Sequence, residues 1–238
     1  MPVLAVGSPK GGVGKSSTAV TLAAIASRDL SLSVLVVDAD ENRSALDWIT
    51  RAGDLIPVDV APGTPHEVRK LRRASRWDLV IVDLPGAREG AFAAVLGGDG
   101  EGPVCDYLLV PSGPEVMDLR PVVRVIRTEV VPLGLPYSLV FTRVPTESLP
   151  RARERQAQLR VGSGLSVATT CVRSYTAFNE AVEGPGPCST SPADITTPVV
   201  VRPITGPWLR KFCTQWDSIP RRSGVIQHGS PDQPHRGT

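Results

Sequence analysis

Short apolar runs recur along the chain, each closed by a polar or turn-forming residue. Val3-Leu4-Ala5-Val6, Val34-Leu35-Val36-Val37, Leu79-Val80-Ile81-Val82, Tyr107-Leu108-Leu109-Val110 and Ser138-Leu139-Val140-Phe141 are of strand length. They are continuously apolar rather than alternating, which predicts strands buried on both faces of a parallel sheet. Residues 166–171 and the shorter Pro57-Val58-Asp59-Val60 are further strand candidates. Between the runs, helical spacing takes over. Over 16–27 it places Val20, Ala23, Ala24 and Ser27 on one face, with small side chains suited to close packing on a sheet. Helices are also expected over 66–75, 87–96, 114–131 (kinked or restarted at Pro121) and after Pro150. The alternation predicts an α/β fold, a doubly wound, mostly parallel sheet flanked by helices. The pattern runs through 1–188. Residues 189–238 are rich in Pro, Ser, Thr and Arg, with one apolar patch at 199–201 and one candidate helix at 208–216. They read as an extension, disordered from Arg221 onward.

The first strand leads into Ser8-Pro9-Lys10-Gly11-Gly12-Val13-Gly14-Lys15-Ser16-Ser17 and then into a helix. Strand, glycine loop, helix is the context of a phosphate-binding loop. Glycines let successive N–H groups turn inward, and the helix N-terminus supplies the positive end of its dipole. Gly11, Gly12, Val13, Gly14, Lys15, Ser16 and Ser17 are the candidate nucleotide contacts, with Lys15 on the β- and γ-phosphates and the Ser16 hydroxyl on Mg²⁺. The general pattern wants glycine five positions before Gly14, and Pro9 stands there; Lys10 stands five before Lys15. The chain has 26 basic residues but four lysines, Lys10, Lys15, Lys70 and Lys211, so half of them sit in this loop. A compact ammonium suits phosphate oxygens in a tight loop better than arginine's planar fork.

Two acidic strand ends complete the pattern. In Asp38-Ala39-Asp40 the carboxylates would point the same way while the chain stays extended. They suit a metal and a water beside a triphosphate, or else cap the next helix. The strand before Asp83-Leu84-Pro85-Gly86 ends in a carboxylate and a proline turn, as a Mg²⁺-holding Walker B acid requires.

This loop resembles the deviant Walker A signature of the ParA/MinD family of P-loop ATPases, and the compact chain is most similar to the small ParA-type plasmid partition ATPases. The resemblance spans about residues 2–188. It implies ATP and Mg²⁺ as cofactors, slow ATP hydrolysis and a homodimer formed on ATP. Lys10 would reach the partner subunit's nucleotide, and Asp40 would orient or activate the attacking water. Asp38 and Asp83 would serve the metal region with Ser16, and Arg143 would lie at the base-binding edge. Pro111, Glu115 and Asp118 would line the nucleotide and dimer face. Glu41-Asn42 replaces the Pro-Gln that follows this motif in the family. The implied cycle is partition of plasmid or chromosome: the ATP dimer binds nonspecific DNA, and a ParB-type centromere-binding adaptor stimulates hydrolysis and release. The alternative is a MinD-like ATPase that positions a membrane-bound or protein-cluster cargo.

Charge and cysteine content narrow the rest. A formal net charge of +2 gives no global nucleic-acid signal, so such binding needs a local patch. Residues 143–173 carry six arginines against Glu147 and Glu154. Arg151, Arg153, Arg155 and Arg160 on the helix after Pro150 are the candidate DNA contacts, a solvated helix face being the plain alternative. The same choice applies to the basic stretch 66–76. Cys105, Cys171, Cys188 and Cys213 show no C-x-x-C pairing and are expected as free thiols. No run approaches the ~18 apolar residues of a membrane span, and no signal peptide is expected. The expected location is cytoplasmic and nucleoid-associated, without membrane attachment.

Overall fold

A computed structural model describes residues 1–71, 76–86, 90–97 and 102–174. Seven strands among these residues make one sheet: β1 Val3–Val6, β2 Val34–Asp38, β3 Asp59–Pro62, β4 Leu79–Asp83, β5 Tyr107–Ser112, β6 Tyr137–Val144 and β7 Val167–Arg173. Their order is β3-β2-β4-β1-β5-β6-β7, and every neighbouring pair is parallel. The chain builds from β1 to one side, returns with β4 beside β1, and then builds to the other side. The strands' carboxyl ends around β1 therefore face the crevice where such sheets bind ligands.

Among the described residues six α-helices accompany the sheet: α1 Lys15–Leu30, α2 Ser44–Ala52, α3 Pro65–Arg69, α4 Gly90–Val95, α5 Val116–Val125 and α6 Leu149–Gly162. Every residue of β1, β2 and β4 is buried, as their unbroken apolar runs require. On α1, Val20, Ala23 and Ala24 are buried, while the Ser27 hydroxyl donates to the Pro57 carbonyl. Each large apolar side chain taken from water here contributes roughly 1.5–3 kcal/mol. Trp48 of α2 is also core.

Several boundaries differ from the sequence reading. The third strand lies two residues later than 57–60, at the sheet edge, where Pro62 leaves no central ladder bond unmade. Within 66–75, α3 is a short helix opened by a capping box, Thr64 Oγ1 accepting from Glu67 N and Glu67 accepting from Thr64 N; residues 72–75 lie outside the described ones. Pro121 neither ends nor restarts the long helix. It sits inside α5, and α-geometry gives way only afterwards, to a π-helical turn at Ile126–Val130 and a 3-10 turn at Val131–Leu133. The closing segment after Ser174 and the extension 189–238 also lie outside the described residues, and with them Cys188 and Cys213. Cys105 and Cys171 are free thiols.

Candidate nucleotide site

The loop after β1 meets two acidic strand ends because the register aligns them. Val6 of β1 pairs with Asp83 of β4, and Asp83 pairs with Asp38 of β2. Asp38 and Asp83 thus stand side by side where the glycine loop begins. Gly12 and Gly14 have φ of 70° and 78°, the left-handed region that glycine enters at little cost. Gly14 is the N-cap of α1 and offers no side-chain bond, so the helix opens with its first N–H groups uncapped by a side chain. Thr142 Oγ1 donates to the Val13 carbonyl at 2.6 Å, clamping the loop from β6. Across the loop, a Cβ on Gly86 would stand 3.2 Å from Lys15 Nζ and 3.4 Å from the Gly11 Cα. The turn after β4 therefore packs directly on the lysine.

Lys15 is buried, 7 % exposed, which holds a compact cation inside the loop. Asp83 is fully buried, and neither of its carboxylate oxygens has a hydrogen-bond partner. Burial pushes its carboxyl up to about 7. The Ser16 hydroxyl, close enough to act electrostatically though short of a completed bond, pulls the value down, as does Lys15; Asp38 and Asp40 raise it. An orphaned buried carboxylate beside a serine hydroxyl and an ammonium is incomplete without a cation. One carboxylate and one hydroxyl suit Mg²⁺, which keeps waters and phosphate oxygens as its other ligands. The residues present fit that ion.

Asp38 differs. Its Oδ1 accepts from Asp40 N at 3.1 Å and its Oδ2 from Leu46 N at 2.9 Å, so both oxygens brace the turn into α2. Burial raises its pKa, and these backbone bonds lower it. The capping alternative describes its contacts, and Asp83 is left as the carboxylate with unused acceptor capacity. Asp40 is half-buried, its Oδ1 accepting from both the backbone N and Nδ2 of Asn42, each at 3.0 Å. Arg43 adopts φ 53° at the N-cap of α2, and its guanidinium donates to the Asp38 carbonyl. Asn42, Arg43, Thr142 and Gly86 thus shape the site without having been among the candidate site residues of the sequence. The asparagine two residues after Asp40 was the available signal for an Asx turn.

Lys10 sits at the mouth of the loop, its side chain 44 % exposed and 3.4 Å from Asp118 of α5. A Cβ on Gly113 would lie 2.2 Å from Asp118 Oδ2, so glycine is what admits that carboxylate. Arg143, at φ 54°, lays its guanidinium on the Gly12 carbonyl at 2.5 Å, against the outer side of the loop.

The four arginines of α6 do not share a face. At about 100° per residue, Arg151 and Arg155 fall on one flank of the buried stripe and Arg153 and Arg160 on the other. Arg155 donates to the Pro114 carbonyl at 2.7 Å and lies 3.5 Å from Glu115, whereas Arg151, Arg153 and Arg160 are exposed. In the other basic stretch, Arg76 stands over the Trp77 ring and pairs with Asp59 at 3.8 Å. No helix among the described residues is long and apolar enough to cross a membrane.

Residues 4–183 match the family described as the CobQ/CobB/MinD/ParA nucleotide binding domain. The chain is similar to "Maintenance of carboxysome distribution protein A" of Gloeobacter kilaueensis, 36% identical over 182 residues that make up 75% of this chain and 80% of that protein. Among solved structures, apo McdA of Cyanthece superposes with a TM-score of 0.64 at 16% identity, covering 87% of this chain and 97% of that one. The MinD cell division protein of Aquifex aeolicus gives 0.59 at 20% identity, covering 79% and 88%. With the family match running over residues 4–183 and a parallel sheet that superposes on these structures, the chain belongs to the ParA/MinD family of P-loop nucleotide-binding proteins.

Proposed function

We propose that the protein is a positioning ATPase of the ParA type, which dimerises on ATP, binds nonspecific DNA and is released when an adaptor stimulates hydrolysis. The observation that carries this reading is the unpartnered, buried Asp83 carboxylate facing Ser16 and Lys15 beneath an uncapped helix N-terminus. Such a site is electrostatically unfinished until a triphosphate and Mg²⁺ enter. Bound Mg²⁺ neutralises phosphate charge, and Ser16 and Asp83 are the residues to hold it. Lys15 and the N–H groups of residues 11–17 bind the phosphates. Asp40, held by Asn42, orients the attacking water and accepts its proton. Lys10 leaves Asp118 and reaches the nucleotide of the partner subunit, so that ATP bridges the dimer. The exposed Arg151, Arg153 and Arg160 supply phosphate contacts to DNA.

The 36% identity to a carboxysome distribution protein supports a second choice of cargo, a protein cluster rather than a plasmid. Adaptor chemistry would then be that of the cluster, with the same ATP cycle.

Lys15→Ala should abolish binding of a fluorescent ATP analogue. Asp40→Ala should retain binding and dimerisation but lose phosphate release by at least about a hundredfold; normal turnover would remove Asp40 from the mechanism. DNA retention should require ATP and weaken steeply with salt. An ATP dimer that ignores DNA at every salt concentration would exclude DNA as the track.

A further inference from the structure

Five of the six large apolar side chains that are most exposed among the described residues lie on α5, the turns that follow it, and α6. They are Val116 (45%), Met117 (73%), Val131 (51%), Leu133 (42%) and Val161 (89%). A groove of about 830 Å³ runs between α5 and α6, with Val123 and Leu159 on its floor. Arg120, Arg124 and Arg127 line it from the α5 side. Arg120 and Arg124 stand one α-helical turn apart, roughly 6 Å along the axis, and Arg127 follows them in the π-helical turn. All three are exposed, and none has an ion pair among the described residues. Of the acids on this helical run, Asp118 pairs with Lys10 and Glu115 with Arg155, and Glu129, two residues beyond Arg127, is half-buried. The site of ATP chemistry uses none of the three.

We infer that this groove docks an acidic amphipathic helix of a partner protein. The argument is complementarity of two kinds. A concave apolar floor needs apolar side chains, and a phosphate backbone has none to offer. A row of free arginines one turn apart needs carboxylates at matching i, i+4, i+7 spacing, which a helix presents along one edge. The helical run of α5 and its π turn is about 22 Å long, enough for a partner helix of roughly four turns. Other occupants fit less well. A second copy of the chain would set arginine row against arginine row. The chain's own residues 189–238 carry six basic and three acidic residues and would be repelled. A lipid surface favours a convex contact, not a groove. Arginines at the edge of such a contact add specificity and association rate, with the apolar floor supplying most of the affinity.

The test uses the full-length protein and three labelled synthetic helices of roughly 15 residues. One is acidic and amphipathic, with Leu on one face and Glu at i, i+4 and i+7 beside it. The second is its scrambled form, and the third has the Glu positions changed to Lys. Fluorescence anisotropy should show the acidic peptide binding at least about tenfold tighter than the scrambled one, with affinity falling as salt rises. The double variant Arg120→Glu/Arg124→Glu should lose about tenfold or more and recover binding with the Lys peptide. Val123→Asp should weaken the acidic peptide without creating a preference for the Lys peptide. Nucleotide binding reports that each variant folds, and melting temperature is a further check for the exposed Arg120 and Arg124; Val123 packs partly against the core, so some loss of melting temperature is expected of Val123→Asp. Equal binding of the acidic and scrambled peptides would overturn the inference. So would a double variant that keeps peptide affinity but no longer sediments with anionic vesicles or is retained on DNA, because the arginines would then serve lipid or nucleic acid.

Discussion

Asp83 is where one side chain's surroundings decide most. Removing a carboxylate from water without a partner favours its neutral form, and here the folded value of about 7 stands above the ordinary 3.8. The folded, metal-free protein therefore holds a proton that the unfolded chain has released between those two values. Stability conferred at low pH is lost as pH rises from about 4 to 7 and is level above that. Thermal melting of metal-free protein should fall across this window. Asp83→Asn, isosteric and uncharged, should melt higher at pH 8 by several degrees and show a shallower slope. The slope should not vanish, since Asp38 is raised in the same direction. Mg²⁺ with nucleotide should flatten it in the native protein by favouring the ionised form. An unchanged slope in Asp83→Asn would mean that its carboxylate finds a partner in solution.

At the scale of elements, α6 has few apolar residues to bury and anchors itself in another way. Gln156 is buried, and its Nε2 donates to the carbonyls of Ala168 and Thr170 at 2.9 and 2.6 Å. These are alternate carbonyls of β7, where the register with β6 shifts, so one amide satisfies two strand acceptors. Gln156→Leu keeps the volume but strips the carbonyls of this donor, a cost of about 1–3 kcal/mol. Chemical denaturation should show that loss, and light scattering should show earlier aggregation on heating. Gln156→Glu should be at least as damaging, because it sets a carboxylate against two carbonyl oxygens. The same helix shows why its arginines were hard to place from sequence. Their count gave a basic segment, but their spacing puts the pairs on opposite flanks, and Arg155 is drawn to the N-terminal end of α5.

For the whole molecule, the proposed ATP dimer depends on whether Lys10 is available. It pairs with Asp118 of its own chain, at partly exposed positions where such a pair is worth little and is easily exchanged. Asp118→Asn should free the lysine and lower the ATP concentration that gives half-maximal dimer, measured by light scattering coupled to gel filtration. Lys10→Ala should abolish the dimer while leaving nucleotide bound. Gly113→Ala should resemble Asp118→Asn, since its methyl group would occupy the space of the Asp118 carboxylate. Dimerisation that persists in Lys10→Ala would assign the interface to other residues.

The apolar runs and their acidic ends determined the strands, because a segment buried on both sides must be apolar throughout and a charge can follow only where it emerges. The turn through Gly12 and Gly14 was equally legible, since glycine at those positions answers a local demand for left-handed backbone. Partnership between distant residues was decided by tertiary structure. Asp38 and Asp83 read alike as strand-end acids, yet the backbone of the α2 turn takes the first and leaves the second bare. Pro121 reads as a kink or a restart, and α5 runs through it without restarting. Burial, register and the choice of hydrogen-bond partner arise between elements far apart in the chain, and no local pattern encodes them.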